Sequence, residues 1–149
     1  MRAQVQRVAS ASVRVDGEVV GAIGAGLLAY VGVAPDDGDA DVAYIADKIV
    51  HLRIFPDDEG RMNRSVIDAG GDILVVSAFS LYADARHGRR PAFTAAAPPE
   101  IASAQIERVI DRIRQAGVRV ETGRFRAMMH VESINDGPLC IPLDSRRQF

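Results

Sequence analysis

The sequence predicts an α+β fold: strand-rich, with a largely antiparallel, barrel-like sheet and two main helices. Three observations carry that reading. Apolar and polar residues alternate from Val5 to Val15, and again from Val19 to Ile23, across an Asp16-Gly17 pair. One run, Leu27 to Val33, is apolar throughout, and a second, Asp72 to Ser80, is built around Ile73, Leu74, Val75 and Val76. Two further segments place their apolar residues at helical spacing. At 149 residues the chain is expected to form one domain.

The elements follow in order. Alternation with period two marks a half-buried strand, and Asp-Gly is a favoured two-residue hairpin turn. The run Leu27 to Val33 reads as a strand covered on both faces. After the loop at Pro35-Asp36-Asp37-Gly38, Val42, Ile45, Ala46, Ile49 and Val50 mark an amphipathic helix from about Asp39 to Leu52. Arg53-Ile54-Phe55 is a short strand stopped by Pro56, and Asp58-Glu59-Gly60 is a turn. Asp72 to Ser80 is a second buried strand, and Arg86 to Arg90 a basic loop around Gly88. Pro98-Pro99 opens a second helix, which suits proline's fixed φ. Its stripe is Ile106, Val109, Ile110 and Ile113, and Gly117 ends it. Val118 to Val120 and Phe125 to Ile134 read as strands, Asn135 to Pro138 as a turn or loop, and Leu139 to Leu143 as a last strand. Pro142 places that strand at an edge.

Composition bounds the function. The net charge is −2, so any nucleic-acid contact must come from local patches. Seventeen of the eighteen basic residues are Arg, with Lys48 the exception; a GC-rich genome and phosphate recognition both produce that bias. The single cysteine, Cys140, excludes an internal disulfide. A reducing, cytoplasmic setting is expected, with no signal peptide and no membrane span. No Walker loop occurs, and Gly21, Gly24 and Gly26 lack dinucleotide-fingerprint spacing. His51, His87 and His130 have no partners at metal-ligand spacing. The acidic run Asp36, Asp37, Asp39 and Asp41 reads as a solvated loop and helix start. Cys140 reads as a small buried strand hydrophobe, with a nucleophilic role as the alternative.

Two segments say more: Ser77-Ala78-Phe79-Ser80-Leu81 and Asn135-Asp136-Gly137-Pro138. They resemble the signature motifs of the D-aminoacyl-tRNA deacylases, which read Ser-Gln-Phe-Thr-Leu and Asn-x-Gly-Pro-x-Thr. The likeness runs along nearly the whole chain, through Gln6-Arg7-Val8, Gly24-Ala25-Gly26-Leu27-Leu28, Arg53-Ile54-Phe55, Gly60-Arg61-Met62-Asn63, Arg90-Pro91-Ala92-Phe93 and Thr122-Gly123-Arg124-Phe125.

The resemblance implies hydrolysis of the ester between a D-amino acid, or glycine, and tRNA, by a homodimer whose sites lie at the subunit interface. It implies no metal and no organic cofactor. Ser77, Phe79 and Ser80 fall at the catalytic strand end, with backbone N–H groups around Phe79 and Ser80 as oxyanion donors. Phe79 would meet the terminal adenine, and Phe125 and Met129 would line its pocket. Gly137 and Pro138, in a cis bond and following Asn135, would reach into the partner's site and strike an L side chain. Arg86, Arg89 and Arg90, with Arg124 and Arg126, are candidates for phosphate contacts; a solvated loop and sheet edge is the plainer reading of the same residues. The sequence departs from the family at Ala78 (Gln), Ser80 (Thr), Cys140 (Thr) and Met128 (commonly Asp). Two alternatives stay open: a paralogue for a different mischarged tRNA, and a nucleic-acid-binding relative without turnover.

Overall fold

The computed structural model describes every residue, Met1–Phe149. Strand β1 (Arg2–Val15) organises the fold. Its antiparallel hairpin partner β2 (Glu18–Ile23) pairs with its second half, and β3 (Gly26–Gly32) pairs with its first half. The turn between β1 and β2 is the expected Asp16-Gly17, both at positive φ. Helix α1 (Asp39–His51) leads to a small hairpin of β4 (Phe55–Pro56) and β5 (Met62–Arg64). Strand β6 (Asp72–Ser77) runs parallel to β3. A 3-10 turn (Phe79–Tyr82) and helix α2 (Pro99–Gln115) precede β7 (Val120–Thr122), which runs parallel to β6. Strand β8 (His130–Asp144) lies along the other side of β1 for nearly its full length.

The sheet order is β2-β1-β3-β6-β7, with β8 beside β1. The sheet curls until β2 approaches β7, giving a nearly closed barrel with two distinct cores. Leu27, Ala29 and Val31 of β3, with Ile73 and Val75 of β6, face the helices. Leu28, Leu74 and Val76 face the inside of the curl. That two-sided burial is why β3 and the Ile73–Val76 centre of β6 are apolar without a break. Strand β1 changes face along its length: Ala3 and Val5 belong to the helix-side core, Val8, Ala11 and Val13 to the inner one. The shift in its pairing with β8 around Val8 accommodates the change.

Several sequence expectations need correction. The second buried strand ends at Ser77, because the chain turns into the 3-10 helix there. Phe125 to Met129 do not form a strand; Ala127 N–H closes a turn onto the Arg124 carbonyl, with Arg126 at φ 63°. The short strand expected at Arg53 begins at Phe55, and its partner β5 gave no sequence signal. Asp37 is not solvated. It is buried against the Met1 ammonium at 2.6 Å and accepts the Ala34 N–H at 2.7 Å. Pro142 does sit on an edge strand, as β8 pairs with β1 alone. No helix is long and apolar enough to cross a membrane.

Candidate functional site

An open cleft of about 430 Å³ lies where the parallel strands β3 and β6 end, against the first turn of α2. Crevices at strand carboxyl ends are common ligand sites in parallel sheets. Ser77, Phe79, Phe125 and Met129 all line it. The loop that follows β7 is held to the sheet by the Gly123 N–H donating to the Val75 carbonyl at 3.0 Å. This delivers Phe125 and Met129 to the cleft, so their alternation serves a wall rather than a strand. The cleft is predominantly apolar, with Ala78, Ala96, Ala97, Ala102 and Ala127 contributing little bulk.

Phe79 stands at the mouth with 63% of its surface exposed. Its ring meets Phe93 edge-to-face, centroids 5.0 Å apart. Phe93 carries no site signal in the sequence beyond its place after Arg90-Pro91-Ala92. Ser80 is exposed on the same turn and stands outside the cleft lining. The Ala78 N–H donates to the Val31 carbonyl and the Leu81 N–H to the Ala78 carbonyl. No turn or loop hydrogen bond uses the N–H of Phe79 or Ser80, the orphan donors expected at the start of a helical turn.

The second motif lies elsewhere. Strand β8 advances from Asn135 to Cys140 while β1 advances only from Gln6 to Val8, so the intervening residues bulge out of the sheet. Asp136, Gly137 and Pro138 are exposed and do not line the cleft of their own chain; the Gly137-Pro138 bond is cis. The Asn135 side chain closes the neck of this loop. Its Oδ1 accepts the Leu139 N–H at 2.7 Å and its Nδ2 donates to the Leu139 carbonyl at 3.1 Å. The amide thus stands in for the strand partner that the bulge removes. Arg7 grips the loop from β1, with Nε donating to the Asp136 carbonyl at 3.0 Å and 3.1 Å from its carboxylate. A Cβ on residue 137 would fall 2.5 Å from the Leu139 nitrogen, so only glycine fits this tight return.

The basic loop divides into two kinds of arginine. Arg86 is committed to Asp84, through Nε at 2.9 Å and Nη2 at 2.7 Å. The side-chain bonds from Arg86, then its backbone N–H, hold the Asp84 carboxyl well below the usual range. Asp84 and Ala92 exchange both backbone bonds and close the loop's neck. Arg89 and Arg90 are exposed and join no ion pair, as are Arg124 and Arg126 on the far lip. Cys140 is exposed rather than buried as expected, because it lies on the edge strand β8, with Asn135 Nδ2 3.5 Å from its sulfur.

The family model described as D-Tyr-tRNA(Tyr) deacylase matches residues 4–144. A D-aminoacyl-tRNA deacylase of Anaeromyxobacter dehalogenans (strain 2CP-C) is 58% identical over 149 residues, covering 100% of both chains. One from Thermotoga petrophila is 54% identical over 149 residues, again covering 100% of both. Among solved structures, the c-Myc DNA unwinding element binding protein superposes with a TM-score of 0.91 at 36% identity, over 97% of this chain and 98% of that one. A probable eukaryotic D-amino acid tRNA deacylase superposes with a TM-score of 0.80 at 19% identity, over 95% of this chain and 98% of that one, a likeness of fold.

Proposed function

The chain belongs to the D-Tyr-tRNA(Tyr) deacylase family, and we propose that it works as a single-domain D-aminoacyl-tRNA deacylase, hydrolysing the ester that joins a D-amino acid, or glycine, to the 3′ end of tRNA. The observation that carries this reading is the exposed Phe79 at the mouth of an apolar cleft shared with Ser77, Phe125 and Met129. The terminal adenosine stacks on Phe79 and enters the cleft. The free N–H groups of Phe79 and Ser80 then face the ester carbonyl, where negative charge develops during attack by water. Ser80 has no basic side chain bonded to it, so the ribose 2′-hydroxyl, rather than a serine alkoxide, assists the attack. Arg89 and Arg90 sit beside the acceptor-end phosphates.

Discrimination comes from the Gly137-Pro138 loop of a second copy. Support lies in its position: it projects from an exposed edge strand, outside its own chain's cleft, beside the 63% exposed Ile134. An uncovered edge of this length invites pairing with another chain. Seated over the partner's cleft, the loop leaves no room for an L side chain, and neither a D side chain nor glycine meets it.

Turnover of D-Tyr-tRNA by the purified protein tests the reading. Phe79→Ala should raise KM about 10-fold, the scale of one base–aromatic stack. Ser80→Ala should cost less than about 10-fold in kcat; a loss of about four decades would identify a covalent nucleophile instead. Binding of tRNA without turnover is the second reading, favoured by the absence of any polar side chain at Ala78 in the cleft wall.

A further inference from the structure

We propose that Arg2 is a positioning residue for the 3-10 turn that presents Phe79 and Ser80, an inference about activity that rests on the deacylase reading of that turn. Arg2 opens β1, and its guanidinium lies behind the turn. Nη1 donates to the Leu81 carbonyl at 3.1 Å and Nη2 to Gln148 Oε1 at 3.3 Å. The guanidinium carbon sits 4.7 Å from the Tyr82 ring centroid and 5.5 Å from that of Phe149.

Three features set this arginine apart. Arg86 and Arg146, its neighbours around the same cavity, each hold an aspartate, whereas Arg2 has no carboxylate partner. Its Nε is the one buried side-chain polar atom without a hydrogen-bond partner, a cost that asks for a compensating role. Its contacts fall on the C-terminal end of the turn, where carbonyls lack partners and a cation is favourable. The Ser80 carbonyl there accepts the Ala83 N–H, and the Leu81 carbonyl accepts Arg2. At its start the turn is tied to β3 by the Ala78 N–H on the Val31 carbonyl at 2.8 Å. Phe79 and Ser80 are therefore suspended between one anchor on β3 and one on β1, and Arg2 supplies the second.

The test compares wild type with Arg2→Met, which keeps a stem over Tyr82, and Arg2→Ala, which leaves a hole beside a cavity open enough to admit free guanidinium. On D-Tyr-tRNA both variants should lose about 10- to 100-fold in kcat, the scale of a misplaced reacting group, with KM rising by no more than the roughly 10-fold expected for losing the Phe79 stack. Added guanidinium should restore part of the kcat of Arg2→Ala and leave the raised KM of Phe79→Ala unchanged. Hydrogen exchange across residues 78–83 should rise about 10-fold in Arg2→Met, with the sheet unchanged, as a local opening rather than a global one. Unaltered kcat, a rise in KM alone, absent rescue, or a variant that loses the whole fold would each overturn the role. If wild type has no deacylase activity, the deacylase reading fails by itself. Exchange in the turn then still decides whether Arg2 anchors it, and unchanged exchange overturns that anchor.

Discussion

Replacing Asn135 by Ala removes the clamp from the neck of the Gly137-Pro138 loop. Two bonds to the Leu139 backbone disappear, at 2.7 and 3.1 Å. Each is worth about 0.5–1.5 kcal/mol net, or about 1–3 kcal/mol together; the 3.5 Å contact to Cys140 adds little. Leu139 remains packed on the helix-side core, and the bulged residues are exposed, so the loss falls on the loop rather than on the barrel. The population of the closed loop should drop by a factor of about 5 to 150 relative to open forms. Asn135→Asp should behave like Asn135→Ala: it retains an acceptor for the Leu139 N–H but turns an oxygen toward the Leu139 carbonyl. The assay is single-turnover release from D-Tyr-tRNA and L-Tyr-tRNA, with a melting curve for each variant. The D-over-L ratio should fall by up to that factor while Tm moves by less than about 4 °C, the shift expected for 1 kcal/mol of global stability in a chain of this size. An unchanged ratio with a large fall in Tm would refute the reasoning, because Asn135 would then support the barrel and not the loop.

Three other outcomes are expected. Gly32→Ala places a Cβ 2.8 Å from the Ala78 carbonyl oxygen and 3.1 Å from Leu81 Cβ; overpacking of this kind costs about 1–3 kcal/mol, read as a lowered urea midpoint together with a fall in kcat. Arg89→Gln and Arg90→Gln should each flatten the log–log dependence of kcat/KM on salt by about 0.7, the slope per single-strand phosphate contact, whereas Arg86→Gln should change it little because Asp84 already neutralises that charge. Acid should destabilise the fold through depressed carboxyls. Asp57 is lowered by the Arg61 N–H and Asp68 by the Ser65 N–H; at Asp41 burial raises the value, but bonds from Ser145 and Gly38 together outweigh it. A depressed folded value contributes stability above the unfolded value, about pH 4, and loses it as pH falls through the folded one. The urea midpoint should therefore change little from these groups between pH 5 and 7 and drop below about pH 4.

Most of the architecture was legible because burial leaves periodic traces. Strand β3 and the Ile73–Val76 centre of β6 are apolar without a break because helices cover one face and the curled sheet the other. Helix α2 announced itself through Pro98-Pro99, its stripe and Gly117. Short or locally dictated features left no such trace. Strand β5 has three residues, two of them exposed. The 3-10 turn looks like a continuing strand because Phe79 is apolar yet stands 63% exposed, outside the core. Phe125 and Met129 alternate like a strand because a cleft wall also favours apolar side chains at intervals. Tertiary polar contacts were out of reach. Nothing local distinguishes Asp37, buried on an ammonium, from Asp36 beside it, or Arg2 behind the turn from any first-strand arginine. The cleft residues Ser77, Phe79, Phe125 and Met129 were found through resemblance, and the fold brings those four to one place. Asn135, Gly137 and Pro138 lie apart on β8, where a single chain cannot bring them to that cleft.

The most direct measurement is deacylation of matched D-Tyr-tRNA, L-Tyr-tRNA and Gly-tRNA by the purified protein. Release of D-Tyr and glycine with L-Tyr retained is the expected result. Release of the L ester at a comparable rate, or no release of any ester with tRNA tightly bound, would contradict it.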